Sequence, residues 1–234
     1  MTSSEDRDSA EAYWGAHAAE YDEFIVRVVP RYREQLERLL DYAPVRAQRV
    51  LELGCGSGNV SLRLAGRWPE AAFTFVDAAP PMLELTRARL LEAYPAIGRG
   101  AQFVAERFED LVLKPRTIDV VVASLSLHHV ADVSGVYHQV GPMLVPGARL
   151  VMLDGVRGRT DREHGVHMAR WSAYWQQPGN LSADEIRDMR EHIALHDHYR
   201  SLQDHFDMLL AAGFVDPDCV WRDGLFALVT ATRG

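Results

Sequence analysis

Three glycines at alternate positions mark the segment of this sequence that most clearly suggests chemistry. Gly54, Gly56 and Gly58 follow directly on a short apolar run, which is typical of a buried strand. A strand that ends in glycines lets a ligand lie against bare backbone, because glycine has no Cβ in the way. A second apolar run at residues 73–76 ends in Asp77, whose carboxylate could hydrogen-bond a ribose diol. The pattern therefore predicts a site for a nucleoside-bearing ligand.

The spacing of these glycines separates several nucleotide-binding motifs from one another. The dinucleotide fingerprint places its last glycine where this chain has Asn59. The P-loop is also absent, because no Gly-Lys-Ser/Thr follows the glycines. Residues 52–58, Glu-Leu-Gly-Cys-Gly-Ser-Gly, instead resemble the first motif of the class I S-adenosylmethionine-dependent methyltransferases, an acidic residue followed by three alternating glycines. The resemblance implies S-adenosylmethionine as the cofactor.

The same resemblance implies further contacts to the cofactor along the chain. In this family the residue after the ribose-binding acid lines the adenine pocket and an apolar side chain of the next helix covers the ring; Ala78 and Met82 match these places, although Met82 could equally be a core residue. The family usually has Gly-Asp-Ala after its third strand, whereas this chain has Glu106-Arg107-Phe108. The cofactor-binding residues that we predict are Tyr13, Tyr21, Glu52, Gly54, Cys55, Gly56, Asn59, Asp77, Ala78, Met82, Glu106, Arg107, Phe108, Ser124 and Leu125.

Aromatic residues at helical spacing near the N-terminus predict a helix that closes over the cofactor, as in many relatives of the family that this chain resembles. A sulfonium gains cation–π attraction beside an aromatic face, which favours Tyr13 and Tyr21 as contacts. Alternatively, Trp14 and Tyr21 pack this helix onto the sheet. In both cases we expect helices over residues 10–45 to cap the site.

Two adjacent histidines follow the predicted central strand. Residues 117–123 form a nearly continuous apolar run, typical of a strand buried on both faces, and Leu127-His128-His129 comes shortly after it. An imidazole titrates near neutral pH, so His128 or His129 could act as the general base for a hydroxyl or an acidic carbon. Alternatively, one of them caps the next helix or braces the loop. The Leu-His-His sequence resembles small-molecule methyltransferases, and not the Asp/Asn-Pro-Pro-Tyr/Phe motif of enzymes that methylate nucleic-acid bases.

A long segment rich in histidine and aromatic residues, residues 155–200, interrupts the alternation of strands and helices. Such excursions at the ligand end of a sheet usually shape a pocket or a lid. His192 and His196 have the i, i+4 spacing that can bind a divalent cation, but we predict no metal and expect a polar face that contacts substrate. The substrate-contacting residues that we predict are His167, Trp171, Tyr174, Trp175, His196 and His198.

The elements that must position these residues alternate between strands and helices. We predict helices at residues 32–42 and 133–144, a fifth strand at residues 148–154, and a terminal hairpin turning at Asp223-Gly224. The resemblance implies a Rossmann-like α/β three-layer sandwich whose seven-stranded sheet has the order 3-2-1-4-5-7-6, with strand 7 antiparallel. We expect one domain over residues 1–234.

Composition limits the partners of the chain. With 25 Lys and Arg against 33 Asp and Glu, the formal net charge is −8, which argues against nucleic acid or an anionic membrane as partner. Two cysteines form no disulfide framework, and no run approaches the length of a membrane span. We therefore expect a soluble cytoplasmic protein, a monomer or a homodimer, acting on a small molecule.

The sequence thus predicts an enzyme that transfers a methyl group from S-adenosylmethionine to a small-molecule acceptor. Oxygen is our first choice of accepting atom, with nitrogen or carbon as alternatives. A second possibility is another reaction of the same cofactor, such as forming its carboxylated derivative for tRNA modification. A third is a cofactor-binding module without catalytic activity.

Overall fold

The computed structural model describes residues 14 and 18 and residues 20–234, and its sheet has the predicted topology. Seven strands lie in the order β3-β2-β1-β4-β5-β7-β6, and β7 runs antiparallel to both of its neighbours. The α/β Rossmann-like fold is therefore confirmed. The strands are β1 (Arg49–Leu53), β2 (Ala72–Val76), β3 (Gln102–Val104), β4 (Ile118–Ser124), β5 (Leu144–Gly155), β6 (Phe214–Asp223) and β7 (Phe226–Arg233).

Helices cover both faces of this sheet. Neighbouring residues of β4 belong to different apolar clusters: Val120 and Val122 pack on one side, and Val121 and Ala123 on the other. The continuous apolar run thus reflects burial of both faces. The helices are α1 (Tyr21–Val28), α2 (Tyr32–Tyr42), α3 (Asn59–Arg67), α4 (Pro80–Ala93), α5 (Pro95–Gly100), α6 (Val133–Val140), α7 (Asp161–Trp175), α8 (Ala183–His196) and α9 (Leu202–Ala211).

Several predicted boundaries differ from those of the structure. The bounds of α2 match the prediction, but α6 ends at Val140 instead of residue 144. The reason is Pro142, which lies in a 3₁₀ turn, Gly141–Met143. Proline has no backbone N–H to donate to the carbonyl four residues earlier, so the α-helical hydrogen bonds stop here. The strand β5 begins four residues earlier than predicted and extends to Gly155.

The segment at residues 155–200 contains two helices that pack against the N-terminal helix. Both α7 and α8 start with a capping box, in which Thr160 and Ser182 accept backbone hydrogen bonds. The indoles of Trp171 and Trp175 both donate to the carbonyl of Val28, at 2.8 and 3.1 Å. The segment is thus braced against α1 at the end of the sheet where β4 and β5 finish. No helix among the residues described is both long enough and apolar enough to cross a membrane.

Candidate cofactor and acceptor site

The glycine loop after β1 adopts a backbone that side chains would oppose. Gly54, Gly56 and Gly58 have φ angles of 74°, 52° and 89°, in the left-handed region. A Cβ added at Gly54 would lie 2.4 Å from the Cβ of Ser126, whereas one at Gly56 would meet nothing within 4 Å. Gly54 is therefore needed for close packing, and Gly56 leaves its space open to the adjoining cavity.

Asp77, directly after β2, joins the glycine loop to the neighbouring strand. Its Oδ2 accepts a hydrogen bond from the backbone N–H of Gly56 at 2.8 Å, and its Oδ1 accepts one from Ala79 at 3.0 Å. Burial raises the pKa of the Asp77 carboxyl, and the two N–H donors oppose that rise. The carboxylate is thus held at the cavity edge, where the sequence predicts a ribose contact.

A cavity of about 420 Å³ runs from the glycine loop to the histidines after β4. This volume lies within the range of about 300–1,000 Å³ that is usual for small-molecule sites. Leu125, in its wall, has a φ of 52°, which is rare for a residue with a side chain and costs on the order of 1–3 kcal/mol. The predicted cofactor residues that line the cavity are Tyr21, Gly54, Gly56, Asp77, Ala78, Met82, Arg107, Phe108, Ser124 and Leu125.

The remaining predicted cofactor residues lie elsewhere. Glu52, Cys55 and Asn59 border a separate void of about 20 Å³ beneath the glycine loop. Glu106 is exposed and does not line the cavity, because the side chains that turn inward after β3 are those of the next residues. Tyr13 lies outside the described residues. Contacts from these five side chains to the cofactor stay predictions.

Glu52 is buried beneath the loop with one hydrogen bond to its side chain. Ser61 donates to its Oε2 at 2.7 Å, while Oε1 has no hydrogen-bond partner. Burial raises the pKa of Glu52 to about 8, although the Ser61 bond opposes the rise and Asp77 adds to it. In the cofactor-free protein the carboxyl is therefore mostly protonated at neutral pH.

The N-terminal helix is tied to the glycine loop by a second carboxylate. Asp22 Oδ1 accepts hydrogen bonds from Ser57 Oγ at 2.6 Å and from Asn59 Nδ2 at 2.8 Å. Arg89 of α4 pairs with Asp22 Oδ2 at 2.8 Å. The Asn59 side chain is thus engaged with α1, and the helix is held over the loop.

The two histidines lie on a 3₁₀ turn, Leu127–His129, that Asp154 of β5 organises. Its Oδ2 accepts hydrogen bonds from the backbone N–H groups of Leu127 and His128, at 2.8 and 3.2 Å, and its Oδ1 contacts the His128 ring nitrogen Nδ1. Burial lowers the pKa of His128, but the carboxylates of Asp154 and Asp197 outweigh burial and raise it to about 9. His128 is therefore an imidazolium at neutral pH. Its side chain does not line the cavity.

His129 is the histidine of the pair that lines the cavity. Its Nδ1 lies 3.1 Å from Asp197 Oδ1. Burial and the adjacent charge of His128 lower the pKa of His129, and Asp197 only partly offsets them. His129 is therefore neutral at pH 7 and the better placed of the two predicted bases.

The predicted substrate residues divide into two groups. His196 and His198 line the cavity, at the end of α8 and just beyond it. Trp171, Tyr174 and Trp175 instead point to the backbone of α1, where the Tyr174 hydroxyl donates to Val26 at 3.2 Å. The structure does not bring these three aromatics, or His167, to the cavity: the ring of His167 lies beside Arg222, at 3.4 Å.

Several residues that shape the site had no role in the sequence prediction. Ser126, Asp132 and Leu195 line the cavity, and Asp154 and Asp197 hold the histidine turn. The position of Asp154 at the end of a predicted strand was the one available signal, since Asp77 has the same placement. Asp197 carried no such signal in the sequence, because only the tertiary fold brings it next to His129.

Comparison with known proteins places this geometry in a family. Residues 50–147 match the family model described as "Methyltransferase domain", and this stretch contains the glycine loop, Asp77 and both histidines. The chain carries a class I S-adenosylmethionine-dependent methyltransferase domain.

Relatives of the methyltransferase domain differ in reaction and in length. The chain is 26% identical over 211 residues to a carboxy-S-adenosyl-L-methionine synthase of Desulforapulum autotrophicum. The aligned residues cover 87% of this chain and 83% of that protein. It is 41% identical over 85 residues to a trans-aconitate 2-methyltransferase of Rhodococcus jostii, but these residues span only 36% of this chain and 29% of that protein. The fold matches that of a geranyl diphosphate methyltransferase solved in complex with GPP and sinefungin, with a TM-score of 0.63 and 18% sequence identity. The match covers 86% of this chain and 78% of that chain.

Gly54→Ala is expected to weaken cofactor binding. The added Cβ would collide with Ser126 and force a left-handed φ on alanine, which alone costs about 1–2 kcal/mol, so the loop must shift. Calorimetry with S-adenosylmethionine should show affinity lower by at least about 10-fold. Gly165→Ala in α7 is the matched control, since its Cβ meets open space. Equal affinity of both variants and wild type would remove the loop from the cofactor site.

Glu52→Gln is expected to stabilise the cofactor-free protein at neutral pH. Between pH 4.5 and about 8 the folded protein holds a proton on Glu52 that the unfolded chain has lost, so its stability falls as pH rises through this window. The glutamine variant lacks this loss and should be more stable by roughly 3 kcal/mol at pH 7, a difference that falls to under about 0.5 kcal/mol at pH 4.5. Urea denaturation between pH 4.5 and pH 8 measures the free energy of unfolding of both proteins. Glu70→Gln, at an exposed glutamate, is the control. A stability difference that does not change with pH would contradict the raised pKa of Glu52.

Proposed function

We propose that this protein transfers the methyl group of S-adenosylmethionine to the oxygen of a small-molecule acceptor. One observation supports the proposal above the others. A single cavity has the glycine loop and Asp77 at one end and neutral His129 at the other, so that a bound donor and an acceptor would meet inside it. The negative net charge and the cavity volume of about 420 Å³ favour a small acceptor over nucleic acid.

The residues at the loop end fit the cofactor. The Cβ position at Gly56 is open space at the cavity wall, and the carboxylate of Asp77 faces the same space. Asp77 would accept the ribose hydroxyls, while Ala78, Met82 and Phe108 would contact the adenine. Bound there, S-adenosylmethionine supplies a methyl group already activated on a sulfonium. The protein must then mainly align the reacting atoms and exclude water, which can contribute on the order of 7–11 kcal/mol.

At the other end, His129 would receive the acceptor's proton. Its imidazole is neutral and borders the cavity, as a general base must. His128 differs, because it already carries a proton between Asp154 and Asp197. The proposed role of His128 is to hold the turn. Together with burial, its charge keeps His129 neutral, so that the imidazole of His129 can accept a proton.

His129→Ala is expected to lower turnover while sparing cofactor affinity. Loss of a general base typically costs about 10²–10⁴-fold in rate. The measurement is methyl transfer from labelled cofactor to a panel of small hydroxylated acceptors, with calorimetry of cofactor binding alongside. His138→Ala, at an exposed histidine of α6, is the control. If both variants turn over at the wild-type rate, His129 has only a structural role.

A second candidate follows from the similarity to the carboxy-S-adenosylmethionine synthase, which extends over 87% of this chain. In that case the product would be the carboxylated cofactor. Mass spectrometry of the nucleoside that purifies with the protein separates the alternatives. The demethylated product of S-adenosylmethionine supports methyl transfer, and a carboxylated adduct supports the second candidate. A protein that binds S-adenosylmethionine but converts it to neither product would be the cofactor-binding module without catalytic activity.

A further inference from the structure

Three possible metal ligands converge at the acceptor end of the cavity. One nitrogen each from His128 and His129 and a carboxylate oxygen of Asp197 all lie within 4.8 Å of one another. His129 Nδ1 is 3.1 Å from Asp197 Oδ1, and His128 Nε2 is 4.0 Å from the same oxygen. Ligand atoms around a tetrahedral zinc ion, each about 2.0–2.1 Å from it, are roughly 3.3 Å apart. His129 Nδ1 and Asp197 Oδ1 have about this spacing already, and His128 Nε2 must approach Asp197 Oδ1 from 4.0 Å to about the same separation.

Two of these atoms are buried without a hydrogen bond. His129 Nδ1 and Asp197 Oδ1 approach each other, but their orientation does not make a hydrogen bond, and neither atom has a hydrogen bond to any other described residue. The Asp197 side chain is only 3% exposed, so water does not compensate its oxygen. Buried polar atoms of this kind are rare and costly. A cation between them would satisfy both lone pairs at once.

Other contacts orient the three ligands from behind. Asp154 Oδ1 engages Nδ1 of His128, which leaves Nε2 to face Asp197. The Tyr199 hydroxyl donates to Asp197 Oδ2, which leaves Oδ1 for the site. The backbone N–H of His198 donates to the carbonyl of His128 at 2.6 Å and fixes the two segments together. Carboxylate–histidine and hydrogen-bonded carboxylate pairs are the usual outer contacts of metal ligands.

We propose that His128, His129 and Asp197 bind one divalent cation of the zinc class at the cavity wall. Two imidazole nitrogens and one carboxylate oxygen, with a further position open to the cavity, suit zinc or a similar first-row ion. The buried carboxylates of Asp154 and Asp197 supply the negative charge that a dication needs. This set differs from His192 and His196, the pair whose spacing can bind a cation but for which the sequence analysis predicts no metal.

The cation site deepens the proposed function and rests on it for its chemical role. In the loaded protein the His129 lone pair is engaged, so the cation replaces the imidazole in activating the acceptor. The acceptor hydroxyl would bind at the open position, its O–H bond would break, and its proton would leave to water. The oxygen would then form the new bond to the methyl group while the carbon–sulfur bond breaks and its electron pair stays on sulfur.

Metal binding itself provides the test, on the full-length protein freed of any histidine tag and treated with a chelator. Titration with Co²⁺ should produce the visible absorption of four- or five-coordinate cobalt, saturating at one equivalent, and Zn²⁺ should abolish it. Asp197→Asn should lower the cation affinity by at least about 100-fold. Tyr199→Phe, which keeps all three ligands, should lower it by about 10–100-fold. His138→Ala should bind as wild type does.

The outcomes separate this site from the methyl-transfer proposal. Absence of a cobalt spectrum in the folded wild-type protein, or equal affinity of wild type and Asp197→Asn, overturns the cation site. Methyl transfer that survives chelation and still depends on His129 leaves the proposed function intact without the cation. A bound cation in a protein with no methyl transfer supports the site and contradicts the function. Circular dichroism of each variant verifies that it folds.

Discussion

A buried carboxylate that accepts backbone N–H groups from a neighbouring turn is the interaction on which this site depends, and it occurs twice. Asp77, after β2, holds Gly56 and the start of α4. Asp154, at the end of β5, holds the turn with the two histidines. Each carboxylate lies where a parallel strand ends, so the sheet sets the distance between the two turns. The two carboxylates therefore fix both ends of the cavity to one sheet.

The cofactor end could be predicted from sequence because its signals are local. Three alternating glycines have one common use after a strand, and a carboxylate after the next strand lies at the same edge of the sheet. The boundary errors have local causes as well, such as Pro142 after α6. The glycine loop, the carboxylate after β2 and the end of α6 each depend on residues close together in the sequence, so the sequence pattern is enough to predict them.

The acceptor end could be predicted only in part, because its contacts join distant segments. Trp171 and Trp175 have the spacing of a substrate-binding face, yet they meet a carbonyl more than 140 residues earlier in the chain. Nothing in helical spacing tells which surface an aromatic side chain will meet. In the same way, Asp197 is an ordinary residue after a helix until the fold places it against His129. The segment at residues 155–200 therefore both braces α1 and places the Asp197 carboxylate against the histidine turn.

The contact between Asp22 and the glycine loop has a thermodynamic consequence. The N-terminal helix can separate from the loop only if Ser57, Asn59 and Arg89 exchange their bonds to this carboxylate for water. If docking of α1 stabilises the loop shape that a ligand needs, binding of that ligand must favour docking by the same free energy. Occupancy of the cavity and docking of α1 are then two expressions of one equilibrium.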